Sequence, residues 1–201
     1  MRQPVSTGPG TSYVGILADR LNTMTFRVMS PDRTVRLYVT GGGLLHIEFS
    51  RGSLDGHTES SMSHELSAVF TRMLRGQAKK RRDILLESVS EVDDIDPDLP
   101  PAEPPEPNHV ADTSRERFYR EVRELTACGR SPRAAVTIRR VPVDLMEVKL
   151  RKGTLQRWSS EEVVAEIQAA LADLGRDYHK RLDLLRRSLH DAAGRSEEPR
   201  V

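Results

Sequence analysis

Four cations recur at intervals of three, four and three residues in one short stretch: Arg72, Arg75, Lys79 and Arg82. On an α-helix these positions fall within about 80° of one another, so their charged ends form a stripe along one face. With Lys80 and Arg81 beside them, residues 75–82 (RGQAKKRR) are the densest basic patch in the chain. Such a stripe can neutralise phosphates along a nucleic-acid backbone. It also suits an ordinary solvated helix face, because cations near a helix C-terminus are favoured by the macrodipole. Arg139, Arg140, Arg151 and Lys152 form a second, looser cluster.

Other chemistries find little support. The histidines (His46, His57, His64, His109, His179, His190) are scattered, with none paired at the i, i+4 spacing of a helical metal site. His57, close to Asp55 and Glu59, reads as part of a polar loop. Cys128 is the single cysteine, which excludes an intramolecular disulfide and suits a reducing compartment. Cys128-Gly129 reads as a helix end. Gly41-Gly42-Gly43 lacks the Lys-Ser/Thr of a phosphate-gripping loop and does not lead directly into a helix, so it reads as a turn. No GxSxG elbow occurs. The expectation is a non-enzymatic protein with no catalytic residue, metal or cofactor.

A basic stripe needs a helix to carry it, and the preceding residues show how that helix is mounted. Val35, Leu37 and Val39 alternate with Arg36, Tyr38 and Thr40; Leu45, Ile47 and Phe49 alternate with His46, Glu48 and Ser50 across the triple glycine. This is a hairpin with one buried face. Residues 30–54 then align without a gap on 131–155, matching Ser30/Ser131, Pro31/Pro132, Val35/Val136, Gly52/Gly153 and Leu54/Leu155. A short helical pattern precedes each copy (Leu17, Leu21, Met24; Phe118, Val122, Leu125), although Thr23 to Met29 suits a strand equally. After each copy comes a longer helix, with Leu66, Phe70 and Leu74 matching Val163, Ile167 and Leu171. Ser159 and Glu162 resemble a capping box at its second start, and Trp158 a hydrophobic staple. The expected fold is therefore α+β: two copies of a small α-β-β(-β)-α unit, the second ending in a long helix.

The two closing helices diverge. The second keeps an apolar seam through Val163, Ile167, Leu171, Leu174, Tyr178, Leu182, Leu185 and Leu189. A helix of about thirty residues would run about 45 Å, longer than so small a unit covers. Leu174, Tyr178, Leu182, Leu185 and Leu189 are thus expected to meet another helix, in cis or from a second chain, and the chain is expected to form a homo-oligomer through its C-terminal helix. The first helix turns polar at the same stage, and there the basic stripe begins.

Between the copies the composition changes. Residues 87–112 hold nine acids (Glu87, Glu91, Asp93, Asp94, Asp96, Asp98, Glu103, Glu106, Asp112), six prolines and no Lys or Arg. This is the pattern of an extended acidic linker. The formal charge of +1 thus hides a distribution: residues 1–86 carry 12 basic and 7 acidic groups, and residues 113–201 carry 19 and 14. The domain reading is a disordered N-terminus (1–11), a first unit (12–86), an acidic linker able to compete with phosphate for the stripe (87–112), a second unit (113–193) and a disordered tail (194–201). No apolar run reaches the ~18 residues of a membrane span, and residues 1–22 lack a secretory pattern, so a cytoplasmic protein is expected.

TVRLYVTGGGLLHIEF, a polar loop, then SHELSAVFTRMLRGQAKKR resembles the YbaB/EbfC family of small nucleoid-associated proteins. Phe26 to Pro31 followed by Thr34 to Thr40 is similar to the YbaB-like proteins associated with actinobacterial ESX (type VII) secretion. The resemblance covers about residues 24–84 and, more weakly, 131–185. It implies a tandem, non-catalytic unit that dimerises and binds DNA with low sequence specificity in the nucleoid, with Arg72, Arg75, Lys79, Lys80, Arg81 and Arg82 on phosphates. The secretion-associated branch implies instead a cytoplasmic accessory, chaperone-like factor whose partner is a protein.

Overall fold

A computed structural model describes residues 13–90 and 109–195; the expectations for 1–11, 91–108 and 196–201 fall outside them. The elements run α1 (Tyr13–Thr23), β1 (Thr25–Met29), β2 (Val35–Thr40), β3 (Leu45–Phe49), α2 (Glu59–Ser90), α3 (His109–Glu124), β4 (Ala127–Arg130), β5 (Val136–Val141), β6 (Leu145–Leu150), α4 (Thr154–Arg157) and α5 (Ser160–Arg195). Each half holds one antiparallel meander, β1-β2-β3 and β4-β5-β6. The fold is α+β, two copies of an α-β-β-β-α unit. The ambiguous stretch before the first hairpin resolves as helix to Thr23 and strand from Thr25, with Met24 buried at the corner.

Two local readings change. Cys128-Gly129 is not a helix end but the middle of β4, paired with Arg139 and Ile138. Helix α2 runs on to Ser90 and α3 starts at His109, so helix extends into both ends of the stretch expected to be linker. Residues 87–90 contain no proline, so nothing in them breaks the helix before the Pro-rich stretch begins.

The alternating residues do what their period demands: Val35, Leu37 and Val39 are buried along β2, and Val136 and Ile138 along β5. They meet Leu66, Val69 and Phe70 of α2 and Val163, Ile167 and Ala170 of α5 in one continuous apolar cluster. The two halves therefore share a core. Ser159 Oγ accepts from the Glu162 N–H and Glu162 Oε2 from the Ser159 N–H (3.3 and 3.0 Å), the reciprocal capping box expected at the start of α5. Trp158 packs against the core, with the Arg133 guanidinium 5.3 Å from its ring centre.

Helices also close the sheet edges. Three hydroxyls one turn apart on α2 serve the outer edge of β6: Ser63, Ser67 and Thr71 accept from the N–H groups of Leu150, Val148 and Met146 (2.9, 2.8 and 3.0 Å). On α5, Asp177 and Asp173 accept from the N–H groups of Cys128 and Arg130 on the edge of β4 (2.9 and 3.0 Å). On β1, Lys80 Nζ donates to the Thr25 carbonyl (2.7 Å) and Arg72 to the Met29 carbonyl (3.1 Å). Lys80 and Asp177 occupy matching positions of the two copies with opposite charge, one serving strand carbonyls and the other strand N–H groups. Removing one hydroxyl orphans a strand donor, which costs about 1–3 kcal/mol. Ser67→Ala is accordingly expected to lower unfolding stability by about 1–2 kcal/mol in urea titration, whereas Ser60→Ala, outside the ladder, changes it little.

Candidate nucleic-acid interface

The basic stripe lies on α2, as its spacing requires, but its members have different tasks. Arg72 and Lys80 are held by β1 carbonyls. Arg75, Lys79 and Arg82 remain exposed and line a concavity of about 660 Å³ with Ala78, Val143, Asp144 and, from α3, Arg123 and Glu124. Among the described residues no carboxylate forms an ion pair with these four cations. Of the two acids that line it, Asp144 is taken by Arg140 (3.0 Å), and Glu124 forms no ion pair among the described residues. Arg81 is exposed beside them on α2. Spacing along α2 could not reveal Arg123, which lies some forty residues on and is brought in by the shared core.

The rim is strained. Val143 (φ 67°) and Asp144 (φ 53°) adopt left-handed backbone in the β5–β6 turn, which a β-branched residue tolerates poorly. Val143 is also 70% exposed, so burial does not compensate the strain. In the looser cluster, Arg140 packs 4.6 Å from the Tyr178 ring centre, while Arg139 shares a shallow surface on the second sheet with Arg130 and Lys149.

Of the seam residues expected to meet a partner, Leu174 lies in the core and Tyr178 packs against it. Leu182 is half-buried, and Leu185 lines a groove with Leu125 and Arg120 at the end of α3. The side chain of Leu189 is outside the described residues. The upper seam is thus occupied within the chain, while Leu184, on α5 outside the seam, is 55% exposed.

His57 is a loop tie. Its Nε2 lies 3.0 Å from Asp32 Oδ2 and its Nδ1 3.1 Å from Ser61 Oγ, which joins the β1–β2 turn to the start of α2. Among the described residues no group of three or more His, Cys, Asp or Glu could hold a metal ion. Likewise, no described helix is long and apolar enough to cross a membrane.

The acids in these ties set a pH dependence. Burial pushes the Asp32 carboxyl up, but the hydrogen bonds from Ser30 Oγ–H and from the backbone and side chain of Thr34 outweigh it and hold it well below the carboxylate range. The Arg130 N–H lowers Asp173 and the Cys128 N–H lowers Asp177, each reinforced by a neighbouring arginine. A carboxyl depressed in the fold stabilises it above the ordinary value of 3.8, and that contribution is lost as pH falls through the lower, folded values. Thermal melting is expected to stay level from pH 7 to about 5 and to drop steeply below about pH 4. Asp177→Asn, which keeps an acceptor but does not titrate, is expected to flatten that drop.

Compared with models of known protein families, with curated proteins and with solved structures, the chain matches none.

Proposed function

We propose that this chain is a non-enzymatic DNA-binding protein of low sequence specificity, a tandem relative of the YbaB/EbfC type acting in the cytoplasmic nucleoid. The observation that carries the reading is the concavity where Arg75, Lys79 and Arg82 of α2 meet Arg123 of α3, four exposed cations with no ion-pair partner among the described residues. Residues 75, 79 and 82 span about 10 Å of helix axis at 1.5 Å per residue, about three times the ~3.4 Å axial step between phosphates of one strand. Arg123 approaches from a second helix, so the cations form a patch rather than a line. Contacts to phosphates position a protein on a duplex without selecting sequence. Arg81 adds to the field. Arg72 and Lys80 contribute charge while serving β1.

Titrating a mixed-sequence duplex in mobility-shift assays at rising salt tests the reading. Retardation at low salt that fades steeply with added salt is expected; no retardation at low salt sinks it.

The rival is an accessory of type VII secretion whose partner is a protein. It draws on the distal part of α5, where Leu184 is exposed beside half-buried Leu182 and Leu185. Retention of one stoichiometric protein free of nucleic acid on the tagged chain favours that reading.

A further inference from the structure

Three of the four outer sheet edges are closed by helix side chains: β1 by Arg72 and Lys80, β4 by Asp173 and Asp177, β6 by Ser63, Ser67 and Thr71. The fourth, β3, is not. The bonds from Thr40 N–H to the Leu44 carbonyl and from Ser50 N–H to the Thr34 carbonyl set the phase of the β2–β3 ladder. In that phase, the pairs Val39/Leu45, Leu37/Ile47 and Val35/Phe49 do not bond each other, and the backbone groups of Leu45, Ile47 and Phe49 point away from β2. Among the described residues none bonds them. Helix α2 runs along the edge of β6, whereas α5 packs against β4 and β5 and barely touches β3, and it carries Val164 and Gln168 where α2 carries Ser67 and Thr71, so β3 has no hydroxyl ladder.

We infer that β3 pairs antiparallel with β3 of a second copy about a two-fold axis through Ile47, joining the two first sheets into one. The sequence of the strand, Leu45-His46-Ile47-Glu48-Phe49, is self-complementary in that register. Ile47 faces itself, Leu45 faces the partner's Phe49, and His46 faces the partner's Glu48. Each outward N–H and carbonyl of Leu45, Ile47 and Phe49 then finds a partner, as an isologous interface requires. The pairs without mutual backbone bonds, where side chains come closest, are the ones that set His46 against a carboxylate. His46 is 67% exposed and Glu48 41% exposed, and they already touch within one strand (3.2 Å), so both stand on the open face. The inference concerns an edge remote in composition from the basic concavity and does not depend on the DNA reading.

Sedimentation equilibrium of the full chain over a range of concentrations tests it. Wild type is expected at twice the chain mass. His46→Glu sets a carboxylate against the partner's Glu48 across the axis and is expected to raise the dimer dissociation constant at least about tenfold. The double variant H46E/E48K restores opposite charges and is expected to restore the dimer, which a merely misfolded chain would not do. His46→Glu leaves the Glu48–Arg36 contact (3.4 Å) in place, and circular dichroism checks the fold of each variant. A monomeric wild type, a His46→Glu variant as dimeric as wild type, or a folded double variant that stays monomeric each overturns the inference.

Discussion

Gly129→Ala is expected to lower stability by about 3 kcal/mol, at the upper end of overpacking penalties, and Gly129→Val by more. A Cβ at this position would overlap the Ala170 carbonyl and the backbone nitrogen of Leu174; both are backbone atoms, so no side chain can swing aside. Nor can α5 retreat, because Asp173 and Asp177 on the same segment accept the N–H groups on either side of Gly129. Moving the helix outward stretches both bonds and opens the core around Ala170 and Leu174. For a protein of this size, a 3 kcal/mol loss lowers the melting temperature by roughly 6–12 °C. Because the halves share one apolar cluster, calorimetry is expected to show a single transition that shifts as a whole. A variant melting in two separated steps would show that the halves are stable independently. Gly175→Ala is the control: a Cβ there meets nothing within 4 Å, and removing a glycine from a helix interior is worth up to about 1 kcal/mol in the opposite direction.

Gly129 also shows where the sequence stops being informative. The central hairpins were legible because Val35, Leu37, Val39 and their counterparts Val136 and Ile138 repeat with the period of a pleated strand, and both copies keep that period. Strand β4 was not legible. Its inward positions are Ala127 and Gly129, too small to register as an apolar alternation, and they are small because α5 lies against them. The hydroxyl ladder was hidden for a related reason. Ser63, Ser67 and Thr71 look like an ordinary polar helix face until a strand edge is placed beside them. The same holds within the basic stripe, where spacing alone cannot separate Arg72 and Lys80, committed to β1, from Arg75, Lys79 and Arg82. That separation depends on which face of α2 meets β1, and periodicity does not encode the position of a neighbour. Leu174 and Tyr178 differ from Leu184 in the same way. All belong to one apolar helix, and only the packing of β4, β5 and α3 decides which are covered.

These distinctions give the second large effect its form. Changing Arg75, Lys79, Arg82 and Arg123 together to alanine is expected to weaken duplex binding on the order of 10³-fold near 0.1 M salt, because each lost phosphate contact lowers the salt slope by about 0.9. The slope of log affinity against log salt should then fall by about 3.6. The four side chains are exposed and have no ion-pair partner among the described residues, so the fold should tolerate the change, and an unaltered melting temperature serves as the check. Arg72→Ala and Lys80→Ala make the contrasting pair. Each removes a donor to a β1 carbonyl, so each is expected to lower melting temperature while moving the salt slope less than any member of the concavity does. Arg123→Ala alone is the most discriminating variant. It lies outside the α2 stripe, and a slope reduced by about one unit places the DNA backbone across the concavity between α2 and α3. A slope unchanged in Arg123→Ala but reduced in Arg75→Ala would confine the contact to the face of α2. An unchanged slope in the fourfold variant would remove phosphate binding from this surface altogether.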